Sequence, residues 1–234
     1  LGLIYKLKRD YENSILFFER AYRNDKNNLD IVSNFSINLI KTKMYDKAEK
    51  LLLESIENFK THYILYNHLG YLYFETGQTQ KCILYYNQAL GIEKKNLEAY
   101  CNLGNAYLRN SEISSAKKIF ERGLKIFPNN KDIQYSNSFL FFAKNEFKKG
   151  FKAFENRKII RKLYYKFSNT LIKEWKGEDL NQKKILILSE QGIGDIIHFS
   201  RYIFALKKKY SVEIIFKTKN KILHLYKNCN FKVF

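Results

Sequence analysis

Apolar residues in the first two thirds of the chain form pairs of short rows. Within a row they recur every three or four residues, as on one face of an α-helix. A polar break separates the two rows of each pair, for example "KTKMY" at 41–45 and "ETGQT" at 75–79. The pattern predicts helical hairpins, with two amphipathic helices joined by a short turn.

The hairpins recur every 34 residues over five copies. Three rows of matching residues define the period. They are a small residue in the first helix (Gly2, Ser36, Gly70, Gly104, Ser138), a small residue in the second (Ser14, Ala48, Cys82, Ala116, Gly150) and a large apolar residue in the second (Phe18, Leu52, Tyr86, Phe120, Phe154). The small residues allow the helices of a hairpin to pack closely, and the large ones fill the gap to the next hairpin. Because no hairpin buries its own apolar face, the copies must stack into a superhelix.

This frame resembles the tetratricopeptide repeat over residues 1–164. The residues that carry the resemblance are Tyr66 or Tyr100, Leu69-Gly70 or Leu103-Gly104, Tyr73 or Tyr107, Ala116, Phe120 and Pro128. It implies a concave groove that binds an extended protein or peptide. Asn34, His68 and Asn102 recur 34 residues apart and resemble the asparagine ladder that holds substrate backbone in O-linked N-acetylglucosamine transferases. The alternative is a coincidence at the groove surface of an Asn-rich chain.

A different pattern follows a linker at residues 165–183. Ile185–Leu188 form a short apolar run typical of a strand buried on both faces, and the Gly-rich turn "EQGIGD" follows it. A helix at about 195–209, a strand at Val212–Phe216, a helix at about 219–228 and a third strand from Phe231 complete the series. The order predicts that residues 184–234 are the start of a parallel, Rossmann-like α/β domain.

The Gly-rich turn lies where such folds bind ligands, since the N-terminus of the following helix points at the crevice. A dinucleotide fingerprint needs a third glycine where this chain has Ile197, and there is no P-loop sequence. Nicotinamide, flavin and nucleoside triphosphate binding are therefore not favoured.

The region from "EWKGEDL" to "FSRYIFAL" resembles bacterial proteins that fuse tetratricopeptide repeats to a GT-B glycosyltransferase, related to heptosyltransferases and O-linked N-acetylglucosamine transferases. The matching residues are Trp175, Gly177, Glu190, Gln191, Gly192, Gly194, Asp195, Phe199, Arg201 and Tyr202, and His198 replaces the usual Gln. The resemblance implies metal-free transfer of a sugar from a nucleotide-sugar donor to an acceptor hydroxyl. Only part of the acceptor half is present, so the donor is expected to bind the intact protein and no cofactor is expected here.

The resemblance also implies roles for individual residues. Asp195 resembles the general base, a task that suits a carboxylate whose pKa is raised by burial; the alternative is that Asp195 caps its helix. The residues implied to contact the acceptor are Glu190, Gln191, Gly192, Gly194, His198 and Arg201. Each has a structural alternative, which is bracing of the loop for Glu190, a fold contact for His198, an ion pair for Arg201 and turn geometry for the glycines.

Composition narrows the classes of function. The net charge is +19, but only eight of the 42 basic residues are Arg, and Lys, Asn, Ile, Phe and Tyr make up 119 of 234 residues. These five have AT-rich codons, so the charge does not predict nucleic-acid binding. Three cysteines without metal spacing indicate reduced thiols, and no apolar run is long enough for a membrane span. We expect a cytoplasmic protein.

The repeat frame places Leu1-Gly2 inside a first helix, and the α/β pattern stops in its third strand. We therefore expect a piece of a longer protein, inactive by itself without a donor half. The alternative to a glycosyltransferase is a non-enzymatic adaptor, whose repeats bind peptide segments of partner proteins and whose α/β tail is vestigial.

Overall fold

The computed structural model describes residues 1–8, 10–157, 173–189 and 192–233. These residues form two compact units, one up to residue 157 and the other from residue 173 onward. The first unit consists of paired helices, and the second contains a small parallel sheet.

The first unit has the predicted hairpins, each with a first helix, A, and a second helix, B. The A helices are α1 (Gly2–Leu7), α3 (Leu29–Lys41), α5 (Tyr63–Glu75), α7 (Leu97–Arg109) and α9 (Lys131–Ala143). The B helices are α2 (Tyr11–Asn24), α4 (Tyr45–Asn58), α6 (Thr79–Ile92), α8 (Ile113–Ile126) and α10 (Phe147–Phe154). From α2 onward, each class of helix begins at intervals of 34 residues, as the sequence period requires.

Local chemistry fixes where the helices begin and turn. Asn28, Asn96 and Asn130 cap α3, α7 and α9, and each side chain accepts a hydrogen bond from a backbone N–H of the first turn. The turn from A to B contains a residue with positive φ in each of four successive hairpins: Lys43 (63°), Gly77 (76°), Ser111 (61°) and Asn145 (58°). Left-handed backbone at this point reverses the chain, although only one of the four residues is glycine.

The small and large positions of the repeat meet inside each hairpin, as predicted. A Cβ added to Gly70 would lie 2.7 Å from the Tyr86 ring, and one added to Gly104 would lie 2.4 Å from Cζ of Phe120. Both rings are almost fully buried. Ser36 is also buried, and the position sixteen residues further on is the smaller Leu52. The A and B helices therefore approach as closely as the side chain in the A helix permits.

The A helices form the concave face of the stack. Each packs on the A helix of the next repeat (α3 on α5, α5 on α7, α7 on α9), whereas successive B helices meet far less. A stack whose A helices lie closer together than its B helices curves with the A helices inside. Side chains on the face of each A helix that points away from the B helices therefore line the groove.

The second unit contains β1 (Lys184–Leu188), α11 (Ile193–Lys209), β2 (Glu213–Lys217), a 3-10 helix (Asn220–Tyr226) and β3 (Lys232–Val233). The strands are parallel in the order β1-β2-β3. Ile196, Ile203, Ile214 and Phe216 form its core together with Leu180. Leu180 lies in the segment predicted as a linker, and its burial makes that part of the segment a piece of this unit.

The three strands agree with the predicted β-α-β-α-β order, but the element after β2 is a 3-10 helix of seven residues. The structure shows a small parallel sheet, and a Rossmann-like domain stays a prediction. No helix of the described residues is long and apolar enough to cross a membrane. In the same residues no group of His, Cys, Asp or Glu is arranged to hold a metal ion.

Candidate functional site

Two of the three predicted ladder residues lie half-exposed on the concave face. Asn34 on α3 donates from Nδ2 to the carbonyl of Asp30 at 2.9 Å and accepts from Nζ of Lys6 at 3.0 Å. Burial raises the pKa of the Tyr86 hydroxyl well above its usual value, and the nearby side chain of Asn102 on α7 offsets part of that rise. Each amide retains hydrogen-bonding capacity, because a primary amide has two donor protons and two acceptor lone pairs.

His68, the third ladder residue, is buried, with 7% of its surface exposed. Its Nδ1 lies 2.9 Å from Oγ of Ser36, and that hydroxyl also lies 2.9 Å from the carbonyl of Ser33. A hydroxyl has one proton, so both contacts are satisfied when Ser36 donates to Ser33 and Nδ1–H of His68 donates to Ser36. Nε2 is then an acceptor, and it has no hydrogen-bond partner among the described residues.

Burial lowers the pKa of His68 to about 4, with a smaller effect from the positive charge of Lys6. The neutral ring assigned from the hydrogen bonds is therefore the form present near neutral pH. Burial also lowers the pKa of Lys6, and the charge of Lys41 lowers it further. Neither lysine belongs to a salt bridge in the part of the chain that the structure describes.

Two carboxylates lie in later repeats, Glu98 on the first turn of α7 and Asp132 on the first turn of α9. Glu98 is exposed, yet desolvation by the surrounding protein raises its pKa. Burial raises the pKa of the Cys101 thiol to about 12, and the negative charges of Asp132 and Glu98 contribute to the rise. The thiol is therefore protonated and unreactive at neutral pH.

The sequence did not single out a buried pair of asparagines between α5 and α7. Nδ2 of Asn67 donates to Oδ1 of Asn96 at 3.3 Å, and Nδ2 of Asn96 donates back at 3.1 Å. The recurrence of Asn at 28, 96 and 130 was the available signal, since these residues cap three of the A helices. Lys6 and Lys41 were not singled out either, and no motif marks them.

The second unit has a cleft of about 180 Å³ at the carboxyl end of β1 and the N-terminus of α11. Apolar side chains form most of its lining, and Ser189, Asp195 and Ser200 add polar groups. Of the predicted catalytic and acceptor-binding residues within the described part of the chain, Asp195 alone lines this cleft.

Asp195 is the third residue of α11, whose N-cap is Gly192 without a side-chain hydrogen bond. Its side chain is exposed, so it lacks the burial on which its use as a base was argued, and it does not occupy the cap position of the alternative interpretation.

A Cβ on Gly192 would lie 3.4 Å from Oδ2 of Asp195, an ordinary contact, and one on Gly194 would meet nothing within 4 Å. Steric demand therefore does not explain either glycine.

Two further residues of that predicted site, His198 and Arg201, lie on the exposed surface of α11. The ring of His198 packs edge-on against Phe199, with 5.1 Å between centroids. The Arg201 guanidinium lies 5.0 Å from the centroid of Tyr202 and donates to its hydroxyl at 3.2 Å. Glu190 and Gln191 lie outside the described residues.

Comparison with known families identifies the first unit. A family model described as TPR repeat matches residues 66–111, and models described as tetratricopeptide repeat match residues 97–130 and 1–28. The hairpins within the matched residues, 1–28 and 66–130, are tetratricopeptide repeats. The predicted repeat superhelix is confirmed by the structural neighbours as well.

Two solved structures share the fold of the tetratricopeptide repeats. The crystal structure of MamA has a TM-score of 0.54 and 19% identity, covering 74% of this chain and 94% of that one. A thermophilic tetratricopeptide repeat protein of Thermus thermophilus has a TM-score of 0.59 and 13% identity, covering 73% and 90%. At these identities the likeness shows the fold alone.

Curated relatives match over shorter stretches. An uncharacterized protein, ycf37, of Pyropia yezoensis is 37% identical over 67 residues, which are 29% of this chain and 38% of that protein. The Hsp70-Hsp90 organising protein of Plasmodium falciparum is 30% identical over 90 residues, which are 38% and 36%. The chain thus spans little more than a third of the length of either relative.

These comparisons do not support a glycosyltransferase domain or a bacterial origin. The family models match within residues 1–130, before the region that carried the glycosyltransferase resemblance. Another relative is a tetratricopeptide repeat domain-containing chloroplastic protein of Arabidopsis thaliana, 30% identical over 97 residues. The expected cytoplasmic location is therefore not confirmed.

Proposed function

We propose that this chain is an adaptor whose tetratricopeptide repeats bind extended peptide segments of partner proteins in the concave groove. The observation that carries the proposal is the pair of half-exposed amides on that face, Asn34 and Asn102, each with unfilled hydrogen-bonding capacity. An amide bonds equally well to the N–H and the C=O of a peptide backbone. Contacts of this kind hold an extended segment without reading its sequence.

The relatives support the same use of the repeats. The Plasmodium falciparum protein bears the name of an organiser of Hsp70 and Hsp90, which describes a protein that brings two others together. We extend only that role to this chain. The similarity to that protein does not identify the partners of this chain.

The test is an array of 12-residue peptides of random sequence, probed with the labelled protein. Asn34→Ala and Asn102→Ala should each weaken most bound peptides by a similar factor, about fivefold, because a lost backbone contact does not depend on side chains. Asn87→Ala on α6 is the matched control. Its Nδ2 donates to the carbonyl four residues earlier, as that of Asn34 does, but it lies on a B helix.

Two results would count against the adaptor. One is that the native protein binds no peptide on the array. The other is that Asn87→Ala weakens binding as much as the two A-helix variants do, since the effect would then come from altered helices and not from the groove.

A second proposal concerns the α/β unit and has one structural observation in its favour. The cleft at the carboxyl end of β1 contains Asp195, at the edge of a parallel sheet where α/β folds bind ligands. In an intact protein this unit would hold the acceptor for sugar transfer from a nucleotide-sugar donor. Release of nucleotide from such donors by the full-length protein, and its loss in Asp195→Asn with the fold intact, is the test. Equal turnover in Asp195→Asn would remove the residue from the mechanism.

A further inference from the structure

One edge of the small sheet in the second unit is open. The strand order is β1-β2-β3, so within the described residues β1 has a neighbouring strand on one side only. On that side the N–H of Ser189, just after β1, donates to the carbonyl of Lys217 at 3.0 Å. Backbone groups of successive residues point to opposite sides of a strand. The residues of β1 whose N–H and C=O groups face the open edge are therefore Lys184, Leu186 and Leu188.

β1 lacks the features that protect edge strands from pairing. Its interior is Ile185-Leu186-Ile187, with no proline and no charged residue, and its register with β2 is regular, without a bulge. These three side chains are only partly buried. A regular, apolar, uncovered edge is a template for a further strand. β1 therefore has the properties of a strand that pairs on both sides.

The helix on this sheet extends its apolar surface in the same direction. Phe199 of α11 lines the cleft together with Ile187, so it lies on the β1 side of the helix. Phe199 and Tyr202 stack with 6.1 Å between centroids, yet they are 54% and 52% exposed. On the opposite flank, Phe204 packs on Phe231, next to β3. The stacked rings therefore need an element beside α11, beyond the open edge of β1, to cover them.

A second copy of this chain has both elements in the required positions. When two β1 strands pair antiparallel about a two-fold axis at Leu186, Lys184 of each copy lies opposite Leu188 of the other, and no like charges face each other. About six backbone hydrogen bonds then join the open edges. The two α11 helices lie side by side on one face of the joined sheet, about 10 Å apart, where Phe199 and Tyr202 of each copy cover those of the other.

Charge is complementary across the same axis. Lys183 is exposed just before β1, and Asp195 is exposed beside the carboxyl end of that strand. Neither belongs to a salt bridge in the part of the chain that the structure describes. Antiparallel pairing brings the start of one β1 to the end of the other, so Lys183 of each copy lies near Asp195 of its partner copy. This double match favours a second copy over a strand of a different protein.

We propose that this chain forms a two-fold dimer through the open edges of β1, with α11 packed against its counterpart. This interaction surface belongs to the α/β unit and does not depend on the peptide-binding groove. The strand edges and two half-exposed rings per copy make an interface near the lower limit of about 1,000 Å² for a specific complex. The dissociation constant should therefore be in the micromolar range.

Sedimentation equilibrium of the protein tests the dimer at concentrations from about 1 to 200 μM, which bracket the expected dissociation constant. One chain has a mass of 28.0 kDa, and the mean mass should approach twice this value at the highest concentration. About 0.3 M salt screens the net charge of +19 on each copy beyond about 6 Å. A mass that stays at 28.0 kDa over the whole range would overturn the proposal.

Charges placed on the two-fold axis test the geometry. Leu186→Lys and Leu186→Glu each put two like charges opposite each other, so each should weaken dimerisation at least about tenfold. An equimolar mixture of the two variants should dimerise nearly as tightly as the native protein, because opposite charges then meet. Leu225→Lys is the matched control, since Leu225 is 51% exposed on the 3-10 helix, and it should dimerise like the native protein.

A surface variant keeps the test decisive if the changes in β1 prevent folding. Tyr202→Lys alters a side chain on the exposed surface of α11 and should weaken dimerisation about tenfold with circular dichroism unchanged. A dimer that persists in folded variants of both positions would be held by another surface, such as the repeats, and the proposal would be wrong. The same conclusion follows if the mixture of folded Leu186 variants stays monomeric.

Discussion

The contact between Gly104 and Phe120 gives the sharpest test of how the repeats pack. A Cβ at position 104 would lie 2.4, 2.5 and 2.8 Å from three atoms of the Phe120 ring, well inside van der Waals contact. The ring is fully buried, so it cannot turn outward to make room. Overpacking of this kind costs about 3 kcal/mol, and the better helix propensity of alanine returns about 1 kcal/mol. We expect Gly104→Ala to lower the free energy of unfolding by about 2 kcal/mol.

Gly91 provides the matched control. It also lies in a helix, α6, but a Cβ there would meet nothing within 4 Å. Gly91→Ala should therefore raise the free energy of unfolding by up to about 1 kcal/mol through helix propensity. Urea denaturation followed by circular dichroism at about 222 nm, where helices absorb, measures both changes.

A double variant tests the mechanism. The Ser36 and Leu52 positions show that a larger residue in the A helix accompanies a smaller one in the B helix. Phe120→Leu should therefore cost at least about 1 kcal/mol less in the Gly104→Ala background than in the native chain. If Gly104→Ala behaved like Gly91→Ala, or if the two costs simply added, close contact would not be the reason for the small residue.

Three further predictions concern stability. The pKa of His68 is about 4 in the folded state and 6.5 in the unfolded state, so the unfolded chain binds the proton first as the pH falls. The free energy of unfolding should therefore be highest above pH 6.5 and fall by up to about 3 kcal/mol towards pH 4. Urea denaturation at a series of pH values measures this fall, which should be smaller in His68→Asn. Lys43→Gly should raise the free energy of unfolding by about 0.5–1 kcal/mol, because φ is 63° there and glycine adopts this backbone more easily than lysine. Gly77→Ala should lower it by a similar amount, and thermal melting measures both changes. Asn67→Ala should lower the free energy of unfolding by about 1–3 kcal/mol, because the buried Nδ2 of Asn96 loses its acceptor. In a double-mutant cycle, the variant with alanine at both positions should lose less than the sum of the two single changes.

Several features were determined by the sequence alone because they depend on neighbours close in the chain. The apolar spacing gave the helices, and the period of 34 gave their pairing, since a hairpin is closed by residues sixteen apart such as Gly104 and Phe120. The apolar runs likewise gave the strands of the second unit within one residue. The candidate ladder was found by the same period, because equivalent residues of a repeat face the same side.

The tertiary structure alone decided what each of those residues can do. Asn34, His68 and Asn102 share one repeat position, yet His68 is buried against Ser36, and Asn34 is held by Lys6, 28 residues away. Asp195 was placed on the correct helix, but its exposure follows from how α11 lies on the sheet. Burial and hydrogen-bond partners come from residues distant in the chain, and a local pattern contains no information about them. The period therefore fixed the positions, and packing between helices fixed their chemistry.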